Sequence, residues 1–386
     1  MKIFAFILIC LFPAYLIRFD IGPLPSTVLE LSFGIFFLVW LLKYARNDQK
    51  IIRKFFTMNR WFAAAFAIFF LASVTSIFTS DMWWYSFGQW RAYFLEPMIL
   101  FVIFLGRREE LGAAYLSNAL LFSTLSITLF GIFQKVSGFG LSSDGRVTSF
   151  FTSPNAVGLY LAPIIFLAIP RLGGVVVGWR KIIFQFIITI LCLVAIFFTK
   201  SLGTIIALCG GLILLLWLTD NKRRAIAFLL ALIIAGALVS PFTSFVASKD
   251  QSSANRLILW QYSMEYLTAS PKNFIFGAGI RQFFRKIQKP HYDAKELERL
   301  IYPHNIFLNF WTETGLFGML SFTLLYCILI IYAINLYRRN RELGACLLSA
   351  LVVFLIHGLV DVPYFKNDLA MLFWTIAALT INATEV

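Results

Sequence analysis

Twelve apolar runs, each close to the length that crosses a bilayer, take up most of this chain. They fall near residues 3–18, 24–43, 61–79, 89–105, 113–134, 155–170, 182–199, 201–218, 225–246, 310–336, 343–360 and 367–383. A bilayer core about 30 Å thick calls for about 20 apolar residues in a helix that rises 1.5 Å per residue. Composition agrees: 60% of the 386 residues are hydrophobic, 43 are Phe and only 13% are charged, against about 25% charged in soluble domains. The expected fold is an all-α polytopic membrane protein with about 12 transmembrane helices, residues 1–386 forming a single integral membrane domain. The start, Lys2 to Ile9, has the pattern of a signal peptide. No small-residue cleavage site follows and bulky residues continue to Phe19, so it reads as the first span.

The 33 basic and 19 acidic residues leave a net charge of +14. In a nucleic-acid-binding protein such a surplus gathers on one aqueous face; here it punctuates the spans, which excludes nucleic acid and makes membrane lipids the neighbours. With the N-terminus in the cytoplasm, eighteen basic residues fall on short inner segments: Lys2, the cluster Lys43 to Arg60, Arg107 and Arg108, Arg171 to Lys181, Lys222 to Arg224, and Arg338 to Arg341. Six fall on short outer segments (Arg18, Arg91, Lys135, Arg146, Lys200 and Lys366), and nine lie in the one long hydrophilic segment, 247–303. Long loops are exempt from the positive-inside rule. Eighteen against six therefore predicts cytoplasmic termini and a periplasmic or otherwise extracytoplasmic 247–303. The five cysteines lie inside apolar runs without metal-ligand spacing, so neither a disulfide framework nor a metal cluster is expected.

Within 247–303, Leu257, Trp260, Met264 and Leu267 recur at helical spacing beside Arg256, Gln261 and Glu265. An amphipathic helix over about 255–267 follows, capped near Ser252 or Ser253, either lying along the membrane surface or packed over the bundle. Ser270-Pro271 ends it. Gly277-x-Gly279 then makes a turn before the basic run Arg281, Arg285, Lys286 and Lys289, softened by Glu296 and Glu298; a lone G-x-G is weak evidence for phosphate.

Four polar constellations sit at the outer edges. Arg146 precedes a hydroxyl-rich stretch ending in Pro154-Asn155; its guanidinium can fork onto phosphate oxygens, or it is an interfacial arginine beside a helix cap made by Ser153 or Asn155. His304-Asn305 stands where the long loop re-enters the membrane, with Asn309 and Glu313 continuing one helical stripe. His304 suits a general base, or a cap. His357 and Asp361 are spaced for a mutual hydrogen bond, and Arg91 and Glu96, five apart, are not a helical pair.

Arg146 with Pro154-Asn155, Thr199-Lys200-Ser201-x-Gly203, Arg256 to Trp260 with Pro271 and Gly277-x-Gly279, and His304-Asn305 with Glu313-x-Gly315-x-x-Gly318 occur in an order that resembles the O-antigen ligase and O-antigen polymerase family of bacterial polytopic membrane glycosyltransferases. The likeness runs over residues 146–361. It implies a glycosyltransferase-C-like helical bundle in the bacterial cytoplasmic (inner) membrane, with an active site on the outer face. It implies transfer of a glycan from a polyprenyl (undecaprenyl) diphosphate donor to an acceptor hydroxyl on a glycan or lipid-linked molecule, in cell-surface polysaccharide or lipopolysaccharide biosynthesis. Neither metal nor cofactor is implied, and envelope-assembly proteins are further partners.

Carried across residue by residue, Arg146 and Arg256 match the arginines that hold the donor diphosphate and His304 the catalytic histidine. Asn155, Asn305, Glu313, Arg91, Arg281 and Asp361 are taken as supporting residues. One departure stands out: the family often has Ser-Arg where this chain has Ser201-Leu202, with the cation one place earlier at Lys200, which can supply charge but not a bidentate fork. The rival readings are a lipid-linked-glycan flippase or exporter, which would need charges along the cytoplasmic half of its path, and a non-catalytic scaffold of an envelope polysaccharide assembly complex.

Overall fold

A backbone in hydrocarbon must satisfy its own N–H and C=O groups, and runs as apolar as these do so by winding into helices. The computed structural model describes residues 1–22, 24–168, 179–219, 222–239, 244–291 and 299–385; Arg171, Glu296 and Glu298 lie outside the described residues. Helix α1 (Lys2–Cys10) and a 3-10 turn (Phe12–Leu16) lead into an antiparallel hairpin, β1 (Arg18–Ile21) and β2 (Leu24–Thr27), with Arg18 opposite Thr27. Next come α2 (Val28–Lys43), α3 (Ala45–Met58), α4 (Arg60–Phe78), α5 (Trp83–Trp90), α6 (Glu96–Gly106) and α7 (Ala113–Ser137). After the loop 138–153 follow α8 (Pro154–Leu167), α9 (Trp179–Thr199), α10 (Leu202–Leu218), α11 (Lys222–Val239), α12 (Ser244–Thr268) and α13 (Pro271–Phe276). The chain closes with α14 (Ile306–Arg339), α15 (Arg341–Gly358) and α16 (Asn367–Thr384).

Among the described residues five helices are long and apolar enough to cross a membrane, or six if α2 and α3, bent by 95°, make one broken span; α8 and α10 are apolar but shorter. The chain is thus a polytopic helical membrane protein. Three local expectations change. Residues 24–27 form a strand rather than the start of a span, because Thr27 and Glu30 close a capping box that fixes the first turn of α2 at Val28. Helix α12 begins at Ser244, so Ser252 and Ser253 are not its cap. A π turn over Arg91–Leu95 joins α5 to α6 and brings i and i+5 onto one face. Arg91 Nε accordingly meets Glu96 Oε1 at 3.2 Å, the pair that α-helical spacing argued against, while its Nη2 meets Glu30 at 2.7 Å.

Aromatic rings cluster where α14 packs against α4 and α16. Phe310 stacks on Phe322 with ring centroids 4.0 Å apart and meets Phe365 at 4.6 Å, while Phe69 lies edge-on to Phe310 and Tyr364. Small residues let helices close in elsewhere: a Cβ on Gly158 of α8 would fall 1.9 Å from Thr204 Oγ1 of α10.

Contacts sort the loops into two ends. The N-terminal ammonium pairs with Glu110 at 3.1 Å, Arg107 with Asp48 at 3.3 Å, and Arg108 with Glu385. Arg339 donates to Thr384 O at 2.9 Å, and Tyr337 and Arg341 donate to Leu218 O at 2.8 and 2.9 Å. Both described termini, the 107–112 turn and the ends of α10 and α14 thus share one end of the bundle. Helices α7, α14 and α15 run its length, which carries loop 138–153, His304 and Asp361 to the other.

The Gly158 contact yields a stability test. Gly158→Ala should destabilise the detergent-purified protein by about 1–3 kcal/mol, read as a lower unfolding midpoint. Gly34→Ala, in the interior of α2 with nothing within 4 Å of the added carbon, should not lower the midpoint, since Ala favours a helix interior over Gly.

Candidate active site

The loop 138–153 is tied down before it reaches the site. Gln134, buried in α7, accepts from the Ser149 and Thr148 amides at 2.7 and 3.3 Å and donates to Gly140 O at 2.9 Å. Ser142 and Arg146 exchange hydrogen bonds at 3.0 and 3.1 Å, and Val147 N–H donates to Phe198 O at 3.1 Å. Arg146 is therefore fixed beside the end of α9. Its Nε donates to Thr199 O at 2.6 Å, Nη1 to Asp144 at 3.4 Å and Nη2 to Asn155 Oδ1 at 3.4 Å. A guanidinium carries five donors, so two remain.

From Asn155 the chain of contacts continues. Its Nδ2 donates to Asp361 Oδ2 at 3.2 Å, and the other oxygen, Oδ1, meets His304 Nδ1 at 3.2 Å. Arg146, Asn155, Asp361 and His304 thus form one line across the ends of α8, α14 and α15. Asp361 does not pair with His357 as its spacing predicted, because α15 stops at Gly358 and the next turn swings the carboxylate away from the helical face. Asn155 gives no cap to α8, and Ser153, the residue at the cap position, makes no side-chain cap bond. Asn305 does cap α14, accepting from Phe307 and Leu308 N–H at 3.1 Å, and its amide donates to Leu359 O at 3.2 Å. It ties the start of α14 to the end of α15 and stands before the stripe formed by the buried Asn309 and Glu313.

Arg256 approaches from α12. It is half-buried, and its charge acts on His357 at the end of α15. One turn on, Trp260 donates from Nε1 to Pro303 O at 2.8 Å, which holds the residue before His304. Lys200, exposed, follows the Thr199 carbonyl that Arg146 grips. Arg91 and Arg281 are not brought to this group; with Glu313 they line a neighbouring cleft.

Backbone strain marks the same ground. Among the described residues four non-glycine positions have positive φ: Ser149 (51°), Lys200 (50°), Arg281 (64°) and His304 (53°). Such conformations are costly for residues with a Cβ and gather at functional sites. Three belong to this site and the fourth to the cleft.

The glycine motifs have a packing explanation. Helix α14 is broken at Gly315 (φ 74°, ψ 179°), and the α13 turn wedges into the break, with Ala278 N–H donating to Thr312 O at 2.6 Å. A Cβ on Gly277 would lie 2.5 Å from Trp311 O, one on Gly315 2.3 Å from Ile275 O, and one on Gly279 2.7 Å from Thr79 Oγ1. Gly277-x-Gly279 thus serves close backbone approach, which sequence could have told from a phosphate loop only with its partner segment in view.

These elements define a polytopic α-helical membrane protein with a cationic site built around a histidine–aspartate pair. Residues 187–323 match the family model described as O-antigen ligase, which bears out the resemblance to the O-antigen ligase and polymerase family. The matched stretch holds Lys200, Arg256, His304, Asn305 and Glu313; Arg146, Asn155 and Asp361 lie outside it. No curated protein matches the chain. The family carries an O-antigen ligase- or polymerase-like role in polysaccharide biosynthesis, hence a glycosyltransferase-like enzyme whose substrates are lipid-linked glycans.

Burial alone would raise the Asp361 pKa, but the charge and hydrogen bond of His304, then the charge of His357 and the Val362 amide at 2.9 Å, outweigh it and hold the carboxyl below its usual range. A carboxyl depressed by folding stabilises above its unfolded value, about 3.9, and that contribution declines as pH falls toward the folded one. Asp361→Asn should therefore lower the unfolding midpoint at pH 7 and do so by less at about pH 3. A deficit independent of pH would contradict the network.

Proposed function

We propose that the chain is a membrane glycosyltransferase that moves a glycan from a polyprenyl diphosphate to an acceptor hydroxyl at the outer face of the cytoplasmic membrane. It would work without a metal, with twelve crossings and both termini inside. The observation that carries this reading is the continuous line of contacts from Arg146 through Asn155 and Asp361 to His304, with Arg256 and Lys200 beside it. The eighteen-to-six bias of basic residues supports the sidedness.

Asp361 at Nδ1 favours the tautomer with hydrogen on that nitrogen and leaves Nε2 as the proton acceptor. Nε2 takes the proton of the acceptor hydroxyl as its oxygen attacks the anomeric carbon. The bond from that carbon to the diphosphate oxygen breaks, and its electron pair leaves with the diphosphate. The two free donors of Arg146, the guanidinium of Arg256 and the ammonium of Lys200 meet the charge that develops there. Asp361 stabilises the imidazolium, which then gives its proton to the departing diphosphate or to water. Fixed guanidinium groups do the work of a divalent cation in this reading.

The test is glycan transfer by the purified full-length protein in detergent, from a lipid-linked donor and with no energy source. His304→Ala should lower the rate about 10²–10⁴-fold, and Arg256→Ala or Arg146→Ala about 10²-fold or more, with insertion and yield unchanged. Ordinary products from the His304 and Arg256 variants would remove the assignment. Transfer should also persist in excess EDTA; abolition by chelator and recovery on adding a divalent cation would show that the arginines do not act alone.

A further inference from the structure

A concavity of about 960 Å³ opens at the same end of the bundle between the β1–β2 hairpin, α5 with its π turn, and residues 281–285 and 299–302. Arg146, Arg256, His304 and Asp361 do not line it; it comes nearest to them in sequence at Tyr302, two residues before His304. Arg91, one of its walls, is neutralised by Glu30 and Glu96. The other four arginines, Arg18, Arg281, Arg285 and Arg299, are exposed and form no ion pair among the described residues. Set against Asp20 and Glu313 in the same lining, these four guanidinium groups leave the cavity with an excess of positive charge, a field that favours anions.

Two further features narrow the ligand. Trp84 and Tyr85 line the cleft with 46% and 54% of their surface exposed, flat faces of the kind that sugar rings cover. Glu313, 1% exposed, also lines it; the Arg281 backbone amide and guanidinium act on its carboxyl, and neither oxygen makes a well-formed hydrogen bond. A buried carboxyl so short of partners is costly, and hydroxyl donors from a bound saccharide would satisfy it. The strained Arg281 (φ 64°), its guanidinium 5.6 Å from the Tyr85 ring centre, stands between the aromatic and acidic walls.

We propose that this cleft binds the acceptor, a saccharide that carries phosphate. The arginines hold the anion, Trp84 and Tyr85 cover sugar rings, and Glu313 accepts from sugar hydroxyls. Its acceptor role rests on the glycosyl-transfer reading above; binding itself does not, and it is measured without turnover, so the two fail separately.

The test uses the purified full-length protein and calorimetric titration with maltotriose, with maltotriose bearing one phosphate, and with phosphatidylglycerol in micelles. The phosphorylated trisaccharide should bind at least tenfold more tightly than the neutral one. Arg285→Ala and Arg299→Ala should each weaken it about tenfold. Glu313→Gln should weaken both trisaccharides while keeping the preference for phosphate. Size-exclusion elution and helical circular dichroism matching the parent protein qualify each variant. Equal binding of the two sugars, binding of neither, or insensitivity to both arginine variants overturns the proposal. Phosphatidylglycerol binding at this cleft more tightly than the phosphorylated sugar also overturns it, in favour of a lipid headgroup.

Discussion

Asp361 is the residue through which the separate parts of the site meet. One carboxylate oxygen receives Asn155 and the other faces His304. A single buried anion therefore relates the start of α8, the loop that holds Arg146, and the strained entry to α14. Such an anion is stable only while its partners are in place, since a buried charge that loses them bears its full desolvation cost. The Gln134 bonds behind Arg146 and the Trp260 bond behind His304 keep the two ends of the line still, which is what a reaction needing fixed charge and a fixed base requires.

The membrane sets the terms for this construction. Backbone that leaves regular helix must still pair its polar groups, and here the α13 turn lodges in the break of α14, where Ala278 N–H donates to Thr312 O. Glycine is needed at Gly277 and Gly315 because backbone meets backbone there. The same wedge sets Glu313 beside the arginine-lined cleft.

The sequence made the class of fold plain, because hydrophobic runs and basic loops obey strong physical rules. It also singled out the residues of the polar line by their place at span edges, and the family resemblance gave them central or supporting roles. It did not reveal how they pair. Asp361 was matched with His357 by helical spacing, and only the end of α15 at Gly358 redirects it to His304. Arg91 and Glu96 were set apart by the same rule and are joined by a π turn that no local propensity announces. Gln134 acts on backbone groups 14 and 15 residues away, where pattern carries no signal, and the helical spacing that singled out Trp260 did not disclose its bond to Pro303 O. Positive φ at Ser149, Lys200 and His304 is likewise a property of the assembled site, imposed on residues whose own preference is elsewhere.

If the polar line works as one unit, its members cannot be removed independently. A double-mutant cycle on glycan-transfer rate, pairing Asn155→Ala with Asp361→Asn in the purified protein, measures that directly. The account predicts a coupling energy of about 0.5–3 kcal/mol between the two substitutions. Effects that add to within about 0.5 kcal/mol would mean that Asn155 and Asp361 serve the reaction separately, and would contradict it.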